Sequence, residues 1–264
     1  MTSDLSGRPQ KSFSYQALPG YFIHSDPDAD PTQIGPNPPA FGLRNQSSDA
    51  YWSQFKSDIT KLQSEAPPGV KYAVCWLGRH GEGWHNVVQD LYGGRAWDTH
   101  WSLVDMDGTT RLVDADLTEL GEEQARQAGK VWATELARSD PVPLPTKFFC
   151  SPLTRAAQTL EITFSEVLTT KYIRPYIIED LRERNGLRTC NKRRSKTFLH
   201  ERFPRFDFEP GFTEADEGWS PSTQELDEDM RKRLKRALDV IFGSLLGEND
   251  TCKFQIFAIP QEAY

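Results

Sequence analysis

Short β-branched and aromatic runs alternate with long amphipathic stretches from residue 50 onward, and no other feature limits the possible folds as strongly. The runs are "VKYAVCWLG" (70–78), "TKFFC" (146–150), "RPYIIE" (174–179) and "CKFQIFAI" (252–259). They lack a helical period and are too short for helices, so they read as strands. The first two are apolar at nearly every position, the pattern of a strand covered on both faces. Between the runs lie helical segments. Residues 50–64 repeat Trp52, Phe55, Ile59 and Leu62 at steps of three and four. Residues 117–137 carry Leu120, Ala128, Val131, Trp132 and Leu136 along one side, with Thr118 as a cap. Residues 151–168 open a third helix. Residues 222–246 form the clearest one, with Ser222 and Glu225 as a capping box and Leu226, Met230, Leu234, Ala237, Leu238, Ile241 and Leu245 as a buried stripe. Strands alternating with helices predict an α/β fold, a three-layer α/β/α sandwich with a mostly parallel sheet.

The rest of the chain is less regular. Residues 1–49 are rich in Pro and Asp and predict an extended arm, leaving 50–264 as one domain. "DMDG" (105–108) marks a tight turn, and 181–221 has few regular signals. The basic residues between Arg182 and Arg205 fit either a positive rim that draws in anions or a face balanced by the acidic stretch 207–229.

A net charge of −7 argues against general binding to nucleic acid or membranes. None of the four cysteines has zinc-finger or thioredoxin spacing, and Cys75 and Cys150 sit in strand-like runs, so buried free thiols are expected. His80 and His85 do not line up on one helix face and no Asp/Cys cluster joins them and His100, so no metal site is expected. The N-terminus has no apolar signal core, which points to a cytoplasmic protein, with a nuclear location also open.

In open α/β sheets the ligand site lies beyond the carboxyl ends of the strands. Arg79 and His80 follow the first run, and Ser151 to Arg155 follow the second. An arginine beside a histidine is a poor pairing for stability, and it makes sense when an anion sits between them. Guanidinium groups grip phosphate with paired hydrogen bonds, so Arg79 and Arg155 can hold one phosphoryl group from two sides. A neutral His80 can then attack phosphorus. The leaving alkoxide needs a proton, and Glu183 in "LRERNG" is the candidate donor.

"LGRHGEGWHN" resembles the Arg-His-Gly signature of the histidine phosphatase superfamily, which includes the phosphoglycerate mutases. "LTELGEEQA", "SPLTRAAQT" and "LRERNG" follow in the family's order, and "YGGRAWDTHWS", "RERNGLRTC" and "GFTEADEGW" are similar to the fungal phosphomutase-like branch. The resemblance covers roughly residues 70–245 and implies a phosphoglycerate mutase-like fold. It implies that His80 is the phosphorylated nucleophile, that Arg79 and Arg155 hold phosphate and that Glu183 is the proton donor. It further implies that Asn86 contacts substrate and that Glu82 lies beside the phosphate pocket. No cofactor is implied, and the partner is a small phosphorylated substrate. The oligomeric state stays open.

One family residue has no counterpart. A second histidine ends a late strand in the family, where this chain has Ile259 or Pro260. The domain is therefore expected to be truncated at its C-terminal end, whether through a gene-model fault, a decayed copy or a genuine short form. The leading expectation is a phosphatase acting on a small phosphomonoester through phospho-His80, with weak activity. The alternative is an impaired protein that binds phosphorylated ligands or a protein partner. A phosphomutase ranks third, because the mutases of the family close a C-terminal tail over the pocket.

Overall fold

The structure, a computed structural model, describes residues 12–244 and the backbone of 254–258. Its strands are β1 (Val74–Gly78), β2 (Met106–Asp107), β3 (Thr110–Arg111), β4 (Lys147–Cys150), β5 (Tyr176–Ile177), β6 (Asp207–Phe208) and β7 (Phe254–Ala258). Its helices are α1 (Pro31–Ile34), α2 (Tyr51–Ser64), α3 (Trp84–Thr99) and α4 (Glu119–Leu136), then α5 (Thr154–Thr163), α6 (Ser165–Thr170), α7 (Lys196–Arg202) and α8 (Asp227–Gly243). Five strands form one sheet in the order β1-β7-β4-β5-β6, and each neighbouring pair is parallel. The hairpin β2–β3 stands apart at the turn read from "DMDG".

Strand side chains alternate between faces, so each apolar run feeds two cores. Val74 and Trp76 of β1, Phe148 and Cys150 of β4 and Ile177 of β5 join one core with α2, α4 and α5. Phe149, Cys75 and Tyr176 point the other way, against Ala237 and Ile241 of α8. Helices on both faces of a parallel sheet make the α/β/α sandwich. The larger core is aromatic: Trp76 meets Trp132 edge-on at 5.3 Å, and Phe41 lies 4.5 Å from Trp132. One carboxylate sits in this core. Glu135 accepts from Trp52 Nε1 (2.9 Å) and Tyr51 OH (3.1 Å), which supplies the partners a buried charge needs. The segment before α2 packs on the same core through Phe22 and Phe41, which both contact the Trp76 ring.

Several local expectations need correction. The capping box at Ser222 does not form. Helix α8 starts at Asp227, and Glu225 instead pairs with the buried Arg233, both oxygens at 2.7 Å. A guanidinium taken out of water claims the carboxylate more strongly than a helix start does. Leu226 is accordingly 68% exposed, while Met230, Ala237 and Ile241 are buried as expected; Leu245 lies outside the described residues. On α4 the buried face runs through Gly121, Ala125, Trp132 and Glu135, and Leu120 points to solvent. Strand β1 is at the sheet edge and is not covered on both faces, since Leu77 is 48% exposed. Helix α3 was not foreseen. Its apolar residues lack a clean period, and Gly93, at φ +77°, breaks its helical path. Cys75 is half-buried and Cys150 buried, both as free thiols; Cys252 lies outside the described residues. Among the described residues no helix is long and apolar enough to cross a membrane.

Candidate active site

Parallel pairing brings the carboxyl ends of β1, β7 and β4 to one edge. Gly78, Ala258 and Cys150 are in register across the three strands. The next residues on the two outer strands are Arg79 and Ser151. Ile259 and Pro260, which follow the central strand, lie outside the described residues.

His80 is buried, at 8% exposure, in the loop that leaves β1. Its Nδ1 lies 2.6 Å from the carbonyl oxygen of Gly81. A carbonyl only accepts, so Nδ1 carries a proton and Nε2 is the nitrogen turned to Glu183. Nε2 lies 3.2 Å from Oε1 of Glu183. The loop is locked against its surroundings. Gly81 N donates to Thr159 Oγ1 of α5 (3.1 Å). Any Cβ on Gly81 would collide with the backbone of Gly121, and one on Gly121 with that of Glu82. These two glycines let the loop and the first turn of α4 touch directly.

Glu82 braces the same junction. Its carbonyl accepts from Thr118 N (2.9 Å) and its Oε1 from Thr118 Oγ1 (2.7 Å). Its carboxylate is thus tied to α4. Asn86 caps α3, with Oδ1 accepting from Gly83 N at 2.9 Å. Its Nδ2 has no partner among the described residues and stays available to a ligand.

Arg155 is fully buried in the first turn of α5. Nη1 donates to the Cys190 carbonyl (2.8 Å), and Nη2 to Asn191 Oδ1 (3.1 Å). Nη2 also lies 2.9 Å from Oε2 of Glu183. One carboxylate therefore bridges His80 and Arg155. Burial pushes the Glu183 carboxyl up, but Arg155 and His80 opposite it outweigh burial and hold it well below the usual carboxylate range. Glu183 is thus an anion in the pocket. Gly186, at φ +86°, turns the chain just after it, and a Cβ there would collide with the Thr223 backbone. Arg79, by contrast, is exposed and makes no ion pair with a described residue.

Two residues escaped the sequence reading, and a third, His85, entered it as a metal-ligand candidate. Asp114, wholly buried, accepts from Thr154 N (2.9 Å) and Thr154 Oγ1 (2.6 Å) and so fixes the start of α5 beside Arg155. Asn191 holds the Arg155 fork and donates from Nδ2 to the Arg184 carbonyl (3.0 Å). Nothing in the sequence marks either one. His85 is buried with its ring centre 5.4 Å from that of His80. Its place in "GWHN", five residues after His80, was the available signal.

The basic segment is partly internal structure. Arg182 pairs with Asp216 and Glu179, and Arg193 with Glu179; both arginines are buried. The acidic stretch does balance this segment, through Asp216 and through Asp227 on Arg184, but inside the protein as well as at its surface.

Residues 75–249 match the histidine phosphatase superfamily (branch 1). The chain is 40% identical over 242 residues to "Probable phosphoglycerate mutase" of Arthroderma benhamiae, covering 87% of this chain and 72% of that one. It is 33% identical over 255 residues to "Probable phosphoglycerate mutase PMU1" of Saccharomyces cerevisiae, covering 89% and 83%. Among solved structures, the alpha-ribazole phosphatase from Shigella flexneri is 18% identical, with a TM-score of 0.39, over 70% of this chain and 73% of that one.

Proposed function

The chain belongs to the histidine phosphatase superfamily, branch 1, and from that premise we propose that it hydrolyses a small phosphomonoester through a phosphohistidine on His80. The carboxylate bridge carries the reading: Glu183 has one oxygen 3.2 Å from Nε2 of His80 and the other 2.9 Å from Nη2 of Arg155. An anionic oxygen of a substrate finds the same two partners. The approach of a phosphate dianion penalises the Glu183 carboxylate and favours its protonation. The proton between Nε2 and Oε1 then rests on Glu183, which frees the Nε2 lone pair and makes Glu183 the acid in one step.

The chemistry follows. The Nε2 lone pair attacks phosphorus as the phosphorus–oxygen ester bond breaks, and the leaving oxygen takes the Glu183 proton. Water then attacks the phosphohistidine and gives its proton to Glu183. The nitrogen–phosphorus bond breaks, and inorganic phosphate leaves. Arg155 and Arg79 neutralise the equatorial oxygens, and the Nδ2 of Asn86 contacts the substrate. Glu82 acts beside the pocket by holding the loop. This sequence of steps uses no metal or organic cofactor.

The test compares wild type with His80→Ala on p-nitrophenyl phosphate, with acid-labile, base-stable phosphoprotein trapped after rapid mixing. Turnover and trapped phosphoprotein in wild type alone are expected. Equal background in both proteins overturns the hydrolase and leaves a ligand-binding protein as the reading.

A further inference from the structure

Within this same active-site reading, on which the inference rests, His85 stands out because its ring is buried and makes no hydrogen bond to any described residue. It is 6% exposed, and its Nδ1 is sealed from solvent without a partner. A buried N–H left unpaired is costly, so the ring is expected to turn its one N–H to the side that a partner can reach. The ring lies between the Trp97 ring, 6.5 Å away between centres, and the bare backbone of Gly83, where a Cβ would sit 2.7 Å from Nδ1. The glycine of "EGWHN" makes the room. The other side faces the site: the His80 ring is 5.4 Å away, and Arg155, Glu183 and Arg79 all act on His85 electrostatically. Burial, with Arg155 and His80, holds its basicity well below the usual histidine range, so it is a neutral imidazole with one N–H. A sealed nitrogen tolerates a lone pair better than an unpaired N–H, which puts the proton on Nε2.

We infer that His85 is a catalytic residue that donates a hydrogen bond from Nε2 to an equatorial oxygen of the phosphoryl group on its way to and from His80. The two rings do not hydrogen-bond each other, and an oxygen carried on His80 comes within reach of its neighbour. A neutral donor does this without adding charge beside Arg155.

The test uses His85→Phe, which keeps a ring without a donor, and His85→Gln, which restores an N–H. Turnover of p-nitrophenyl phosphate is read with orthovanadate binding followed by calorimetry and with the thermal midpoint. Losing one oriented donor costs about 10²–10³ in kcat, so that loss is expected in His85→Phe at similar KM and a similar midpoint. Vanadate should bind more weakly in parallel, and His85→Gln should regain at least about tenfold of both by the same donor logic. Unchanged kcat and vanadate affinity in His85→Phe overturn the role. If His85→Phe does not fold, His85→Leu, which also has no donor, replaces it, and loss without recovery in His85→Gln counts against the role. If wild type and His80→Ala hydrolyse equally, the phosphatase reading falls by itself. Vanadate binding then decides: tighter in wild type than in His85→Phe keeps His85 as an oxyanion donor, and equal or undetectable binding removes it.

Discussion

Replacing Glu183 by Gln tests the bridge most directly, because the variant keeps the shape and removes both the charge and the proton. The Gln oxygen can still accept near His80 Nε2, but its amide then faces Arg155 Nη2, which sits 2.9 Å from Oε2 in the native pair. Two effects are expected. The first is chemical. General acid–base help is typically worth about 10²–10⁴ in rate, so an alkyl phosphate, whose leaving oxygen needs a proton, should lose that much. p-Nitrophenolate leaves unaided, so phosphorylation of His80 from the aryl ester should survive. Attack by water still lacks its base, so a stopped-flow trace should show a burst of about one nitrophenolate per site before a slow steady rate. The second effect is electrostatic. Two unit charges about 4 Å apart interact by roughly 4 kcal/mol at an effective dielectric constant of 20. Glu183 is partly open to solvent and can protonate, so only part of that repulsion is felt by a bound anion. Inorganic phosphate should bind Glu183→Gln at least about tenfold tighter, equivalent to about 1.4 kcal/mol. Equal losses on aryl and alkyl esters, no burst, and unchanged phosphate affinity would together refute the bridge as the seat of proton transfer.

Two further outcomes concern the scaffold. Burial pushes the Glu209 carboxyl from 4.5 up to about 7, with Asp180 and Glu179 adding to the rise. An acid with a raised folded-state pKa holds more protons when folded across that window, so stability should fall as pH rises from about 4.5 to about 7. Glu209→Gln, whose amide oxygen can still accept from Glu179 N, should stabilise the protein by about 1–2 kcal/mol at pH 8 and hardly at pH 4.5; denaturant curves with the same pH slope in both proteins would contradict this. Gly121→Ala forces a methyl against the Glu82 backbone. Overpacking of this kind costs about 1–3 kcal/mol, and the shift should also displace His80, lowering kcat well beyond the loss of folded protein. An alanine variant with native melting and native turnover would show that the loop and α4 do not need this contact.

The elements legible in the sequence share one property. The strands β1, β4, β5 and β7, the helices α2, α4 and α8, and the delivery of Arg79 and His80 to a strand end all depend on neighbours within a few residues. Periodicity and the Arg-His-Gly run record them directly. What was misread depends on distant groups. Glu225 looks like a cap three residues after Ser222, yet Arg233, placed beside it by the packing of α8, takes it. Arg182 and Arg193 look like a solvated charge run, yet Asp216 and Glu179 draw them inside.

Residue order along the chain was enough to establish the layered α/β design and to mark His80, Arg155 and Glu183, because local propensity and a few ordered motifs carry that information. The tertiary structure alone decided that one carboxylate joins His80 to Arg155, that Asp114 and Asn191 fix the arginine, and that His85 lies unpaired against His80. Those relations span up to about a hundred positions and are set by strand order and side-chain burial, which no local pattern encodes.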